Sequence, residues 1–240
     1  VTGYDGDKVV VEVNKQITAK TDDRLKQGIE EIQLGEINRI DTIILFTKSS
    51  CNMFGKRNGR NARHEWGYDW NNACRNEGHT FDFRMDYTIK VPRKMNLIVS
   101  TINNGNVDIS GVSGAILADN INGSIKLINL TRQARATTIN GDVDIVYDQN
   151  PSEACRFYTL NGNINANFRK GLSANMRFES FNGDFYTNVP TLENLPTTIE
   201  KESTDNGIRY KLQGNHFRIG KGGALLDFET FNGNVYLKEI

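Results

Sequence analysis

Through the middle of the chain, apolar residues recur in two short alternating runs set on either side of a polar corner. Three and five residues after an Asn stand Val107 and Ile109, Ile125 and Leu127, Val143 and Ile145, Ile164 and Ala166, Phe185 and Thr187, and Val235 and Leu237. Six and four residues before it stand Ile116 and Ala118, Ala134 and Ala136, Cys155 and Phe157, Met176 and Phe178, and Leu226 and Phe228. A period of two is the mark of a strand with one buried face. Each unit therefore predicts strand, corner, strand and a variable loop.

The corner is Asn-Gly. This pair occurs eight times, and six copies, at Asn104, Asn122, Asn140, Asn161, Asn182 and Asn232, are separated by 18, 18, 21, 21 and 50 residues. Independent hairpin turns would not hold the same residue classes at fixed offsets on both sides of every pair. Self-similarity near 20 residues instead marks units that bury their apolar faces by stacking. The expectation is an all-β, single-stranded parallel β-helix solenoid of about 18–21 residues per rung. Rung lengths that ignore multiples of six favour a right-handed or irregular coil over the left-handed hexapeptide kind. Gly at the corner supplies positive φ, and the six Asn side chains form a structural ladder from rung to rung. Ile121, Ile139, Leu160, Phe181 and Phe231, each just before Asn, make one more apolar column.

Outside the repeat, Lys8 to Val13 reads as a strand, and Thr21 or Asp22 can cap a short N-terminal helix carrying Leu25, Ile29 and Ile32 on one face. The chain is expected to form one domain, 1–240. Residues 1–92 supply N-terminal strands, the capping helix and an insert at 51–79; 93–188 supply regular rungs; 189–222 an inserted hairpin; and 223–240 the last rung. Lys plus Arg and Asp plus Glu both number 29, so no basic field gathers phosphates and nucleic acid is not an expected partner. The longest aliphatic or aromatic run, Ile43 to Phe46, falls far short of the roughly 20 residues of a membrane helix, and no charged-then-apolar leader precedes Val1. The expectation is an exported chain without a membrane-spanning segment, trimmed of its leader.

Chemistry concentrates in the insert, where both tryptophans stand. Cys51 and Cys74 bracket it as a disulfide candidate; a bridge would stabilise by roughly 3 kcal/mol in an oxidising compartment, and reduced thiols are the alternative. If extended, His64, Trp66, Tyr68 and Trp70 share one face, on which sugar rings or a partner's apolar groups could stack; the competing role is to pack the insert down. Cys51, His64, Cys74 and His79 are ligand types for zinc, but their spacing lacks the close pairs of a compact finger, so no metal and no cofactor is expected. Cys155 occupies a core column and His216 a late hairpin. Asp142 and Asp144 with Asp184 come closest to an acid cluster, yet their columns mix Asn, Ser, Lys and Tyr. No triad order, phosphate loop or dinucleotide fingerprint appears.

An N-terminal strand and amphipathic helix, then YTIKVPRKMNLIVSTINNGNVDISGVSG, then T-φ-N-G-x-φ-x-φ rungs ending GKGGALLDFETFNGNVYLKEI, resemble the bacterial adhesins of the auto-transporter adhesin head type and their relatives of undefined function. The resemblance runs from about Lys8 to the C-terminus. It implies a β-helical protein of the bacterial cell surface, periplasm or medium, with no catalytic residues. The expected function is a non-catalytic adhesion module that displays its surface to glycan or protein. A polysaccharide lyase or hydrolase and a passive envelope scaffold are the alternatives.

Overall fold

The computed structural model describes residues 1–50, 53–56, 66–69, 80–103, 105–196, 198–204, 207–213 and 215–240. They gather into two compact units, residues 1–10 with 89–240, and residues 11–88.

In the first unit each repeat sends the strand before its corner to one sheet and the strand after it to another. The post-corner strands lie in a nine-stranded sheet in the order Phe185–Thr187, Val235–Glu239, Ile164–Phe168, Val143–Tyr147, Ile125–Leu130 and Val107–Ser110, continued within this unit by Thr2–Tyr4 and residues 90–92. The pre-corner strands lie in an eight-stranded sheet in the order Leu192–Asn194, His216–Ile219, Ala174–Asn182, Ala224–Asn232, Cys155–Asn161, Ala134–Asn140, Ile116–Asp119 and Leu97–Ser100. Repeat pairs with repeat in parallel: Val143 faces Ile164, Ile164 faces Val235, and Val235 faces Phe185. The two inward columns fill the space between the sheets, with Ala118, Ile125, Leu127, Val143, Phe157 and Phe228 fully buried. Each buried Val, Ile, Leu or Phe side chain contributes about 1.5–3 kcal/mol.

The single parallel β-helix solenoid is corrected by this topology. There are two large sheets, and the eight-stranded one carries antiparallel members, with His216–Ile219 antiparallel to both Ala174–Asn182 and Leu192–Asn194. Among the described residues, three further two-stranded antiparallel sheets pair Gln33–Asn38 with Ile43–Lys48, Met53–Lys56 with Trp66–Asp69, and Thr198–Thr204 with Gly207–Gln213. For the two-stranded sheets the physical reason is loop closure, since segments without the repeat fold back on sequence neighbours; His216–Ile219 returns after the Thr198–Thr204 and Gly207–Gln213 pair to run against Leu192–Asn194 and Ala174–Asn182. The repeat at 223–240 is also not terminal in space. Its strands insert between Cys155–Phe168 and Ala174–Thr187, so Ala174–Thr187 forms the end of the stack.

The corners hold the stack together. A Cβ on Gly141 would sit 2.5 Å from the Gly123 carbonyl oxygen, one on Gly162 2.2 Å from that of Gly141, and one on Gly233 1.9 Å from that of Gly162. These glycines also have φ of +147°, +157° and +149°, so both space and backbone require Gly. Two residues before each Asn, a buried donor reaches the glycine carbonyl of the adjacent rung: Asn120 Nδ2 to Gly105 O at 2.8 Å, Thr138 Oγ1 to Gly123 O at 2.9 Å, Thr159 Oγ1 to Gly141 O at 2.8 Å and Thr230 Oγ1 to Gly162 O at 3.3 Å. In the end rung this position is Ser180, whose buried Oγ has no partner among the described residues.

In the second unit, Thr21 caps the helix Asp22–Glu31 by accepting from Arg24 N, and the strand residue Lys15 donates Nζ to the carbonyls of Ile29 and Ile32 at 2.6 and 2.8 Å. That cation offsets the negative C-terminal end of a helix whose last turn has no basic residue. The buried helical residue is Gly28, where a Cβ would meet Ile17 and Phe81 within 3 Å. Close approach at Gly28 turns the face inward there and leaves Ile29 49% exposed, at the rim rather than on the buried side.

The corner bonds give a paired prediction. Thr159→Val keeps the shape and removes the donor to a buried carbonyl, lowering stability by about 1–3 kcal/mol; Ser180→Ala removes a hydroxyl that satisfies nothing and changes it by less than about 0.5 kcal/mol. Urea midpoints at unchanged slope measure both, and equal losses would show that the glycine-carbonyl bonds are not what the column contributes.

Candidate binding surface

The Asn side chains outside the corners form a directional chain. Asn140 Nδ2 donates to Asn122 Oδ1, Asn161 to Asn140, Asn232 to Asn161 and Asn182 to Asn232, each at 2.8 Å, and Asn122 reaches Asn103 at 3.4 Å. Asn104 lies outside the described residues. Each Gly N–H donates the other way, Gly123 to Asn140 O, Gly141 to Asn161 O, Gly162 to Asn232 O and Gly233 to Asn182 O. Two residues after Asn a second ladder runs, in which Asn163 N donates to Asp142 Oδ1, Asn234 N to Asn163 Oδ1 and Asp184 N to Asn234 Oδ1. One residue further, Val143, Ile164 and Val235 donate N–H to carbonyls of the following rung at 2.9–3.0 Å.

At the Ala174–Thr187 end every one of these positions lacks its next rung. Among the described residues, Gly183 N–H and Phe185 N–H have no acceptor, and neither Asn182 Oδ1 nor the Asp184 carboxylate receives a backbone N–H. Aromatic rings flank this open template. Phe181 stacks on Phe231 with centroids 4.8 Å apart and planes within 4°, and Tyr186 stacks on Tyr236 at 5.1 Å and 12°. Each outer ring keeps much of its surface open: Phe181 is 73% exposed and Tyr186 48%. The Asp184 carboxylate, accepting from Tyr186 Oη at 3.3 Å, pushes that phenol above its ordinary pKa and keeps it a donor. The apolar column before Asn is thus a solvent-facing ridge, with Ile121, Ile139, Phe231 and Phe181 all exposed.

The acid cluster is dispersed. Asp142 and Asp184 are three rungs apart, because Asn163 and Asn234 intervene. At about 4.8 Å per rung that is about 14 Å, beyond the roughly 5–10 Å of paired glycosidase carboxylates. On the outer face of the eight-stranded sheet, Arg177 grips Asp227 through two bonds of 2.7 and 2.8 Å, and Arg156 holds Glu229 at 2.7 Å. Beside them lies an open trough of about 520 Å³ lined by Ile98, Ala115, Leu117, Ala154 and Leu225. Its lining is mostly apolar by area, with Asn96, Gln133, Arg135, Arg156 and Asp227 also on it.

Of the insert residues, His64 and Trp70 lie outside the described residues, as do Cys51 and Cys74. Tyr68 pairs through its backbone with Phe54. Trp66 stacks on Phe54 at 6.4 Å, Phe54 on Phe46 at 4.4 Å, and the Arg39 guanidinium sits 4.6 Å from the Trp66 ring centre. Trp66 is therefore engaged in packing. His216 Nε2 is buried without a partner among the described residues. Among the described residues no three His, Cys, Asp or Glu side chains converge as a metal site, and no helix is long and apolar enough to cross a membrane.

The sequence reading passed over the Thr column, although Thr138, Thr159 and Thr230 recur at one offset, and the open ring faces, which depend on spatial order. No family model and no curated protein matches the chain. A crystal structure described as that of a "putative cell adhesion protein" from Clostridium sporogenes aligns over 100% of this chain and 86% of the other, at 13% identity and a TM-score of 0.47. That similarity is too low to carry a fold or a function from one chain to the other.

Cys155 Sγ lies 3.1 Å from Tyr147 Oη in the core, and burial pushes its thiol above the ordinary value. In mildly alkaline buffer Cys155 is expected to stay unmodified by iodoacetamide in the folded protein and to react once unfolded, as read by peptide mass mapping. Rapid native-state labelling of Cys155 would contradict that assignment.

Proposed function

We propose that the protein is a non-catalytic binding module of the adhesion type, and that it captures an extended segment of a partner protein as one more rung on the Phe181–Thr187 edge. The observation that supports this is the open template: two N–H donors, two side-chain acceptors and two exposed rings in the order that each inner rung uses to bind its neighbour. Strand addition draws affinity from main-chain bonds and specificity from side chains, and here it continues an interface the chain already repeats. The partner segment needs carbonyls opposite Gly183 and Phe185, an amide donor opposite Asn182 and a ring or aliphatic group over Phe181. A non-catalytic role fits polar columns whose Asp and Asn oxygens already accept ladder bonds. Placement at the bacterial cell surface extends the family resemblance.

The test uses fluorescent synthetic peptides carrying the rung sequence Glu229 to Leu237, beside a scrambled control and a glycan array. Binding of the rung peptide that falls at least about tenfold, or about 1.4 kcal/mol, in a folded Phe181→Ser, Tyr186→Ser variant supports the reading. Absence of peptide binding, or binding indifferent to the variant, overturns it. Glycan binding lost in the same variant would replace strand capture by sugar stacking, and release of oligosaccharides from polysaccharides would replace it by catalysis.

A further inference from the structure

We infer that Asn182–Gly183 is a site of spontaneous deamidation, set apart from the other corner pairs by its place at the end of the ladder. The inference does not depend on the partner proposed above. In an Asn-Gly pair the glycine backbone nitrogen can attack the Asn side-chain Cγ. A C–N bond forms to give a cyclic imide, the side-chain amide C–N bond breaks and ammonia leaves, the glycine N–H proton passing to solvent base. Water then opens the imide at either carbonyl to leave aspartate or isoaspartate. The net change is one water consumed and one ammonia released.

The reaction needs the glycine nitrogen unoccupied and the amide free to turn. Four described pairs deny both. Gly123, Gly141, Gly162 and Gly233 spend their N–H groups on carbonyls of the adjacent rung at 2.8–3.0 Å. Asn122, Asn140, Asn161 and Asn232 are held from both sides, donating through Nδ2 and accepting at Oδ1. Asn182 differs on both counts. Among the described residues its Oδ1 accepts nothing and Gly183 N–H donates to nothing, so its side chain is held by the Nδ2 bond to Asn232 alone while its carbonyl accepts from Gly233 N–H. Residues 181–184 are all exposed, which admits water and base. The pairs beginning at Asn58, Asn104 and Asn206 lie outside the described residues and outside the comparison.

Conversion to aspartate also undoes the restraint. A carboxylate has no N–H to give Asn232 Oδ1 and sets two acceptors against each other, so the product loosens the end rung.

Wild-type protein held in mildly alkaline buffer is sampled over days, and peptide mass mapping follows each pair, with the urea-unfolded chain as reference. In the folded protein Asn182 is expected to deamidate at least about tenfold faster than Asn122, Asn140, Asn161 or Asn232, the factor of one or two missing hydrogen bonds. In urea the five should differ little. Equal rates in the folded protein, or an Asn182 as inert as the rest, would overturn the inference. Hydrogen exchange provides a second reading: Gly183 N–H should exchange far faster than Gly141 N–H, and a protected Gly183 amide would contradict the free donor on which the inference stands.

Discussion

The contact on which the stack depends is glycine backbone against glycine backbone at the corner. Each Gly carbonyl occupies the space that a Cβ of the next rung's Gly would need, within 2.5 Å at Gly141, Gly162 and Gly233. That approach sets the parallel register. With Gly on Gly, the hydroxyl of Thr159 falls on the Gly141 carbonyl and the amide of Asn161 on that of Asn140. Because side chains alternate with period two, the same register turns Val143, Ile164 and Val235 into one inward column, and a slip of one residue would turn all of them outward. The hydrophobic core therefore depends on polar corners that are themselves exposed.

A ladder of this kind has a direction, and direction creates an unfinished end. Each Asn gives an N–H to one neighbour and takes one from the other, so stopping the series leaves one acceptor and one glycine donor over. Edges with unmet groups invite uncontrolled pairing, and proteins blunt them with charge, shortness or cover. All three are visible. Antiparallel His216–Ile219 covers the first part of Ala174–Asn182, the edge strand Phe185–Thr187 has only three residues, and Asp184 puts a charge on it. What remains open is a short template, a three-residue edge strand and the corner before it.

The Asn-Gly period made the corners and both inward columns legible, since Ile116, Ala134, Cys155, Met176 and Leu226 share one offset and all end up buried. It could not say that the two columns belong to separate sheets, because a strand–corner–strand unit looks the same in either case. Nor could it order the last two repeats. The 50-residue gap before Asn232 leaves its register free, and packing of Phe228 on Phe157, at 5.5 Å, accompanies its place beside the earlier repeat. The residue before each Asn stood out as apolar, but its exposure follows from carrying the alternation on to the corner: Thr138 and Thr159 stay in phase with the inward column and bond carbonyls, which leaves Ile139 facing water. In the insert, Trp66 read as packing in preference to display, and Arg39 and Phe54 lie against its ring.

The aromatic residues of the ridge follow spatial rather than sequence order. Along the column before Asn the residues run Ile121, Ile139, Leu160, then Phe231 and Phe181; on the outer face of the nine-stranded sheet they run Asp108, Lys126, Asp144, Asn165, then Tyr236 and Tyr186. Rings enter both columns only in the two rungs at the open end, although 50 residues of chain separate them. A terminal rung has lost the ladder bonds of one side, and two stacked pairs at about 0.5–1.5 kcal/mol each offset roughly that loss. Stability uses the inner ring faces. The outer faces of Phe181 and Tyr186 contribute nothing to the isolated chain, and they stand beside the unmet Gly183 and Phe185 donors where a further strand would lie. At the same end Phe185 turns inward against Phe178 and Phe217, while Phe181 and Tyr186 continue the outward columns beside the open donors, the arrangement that the proposed capture of a further strand would use.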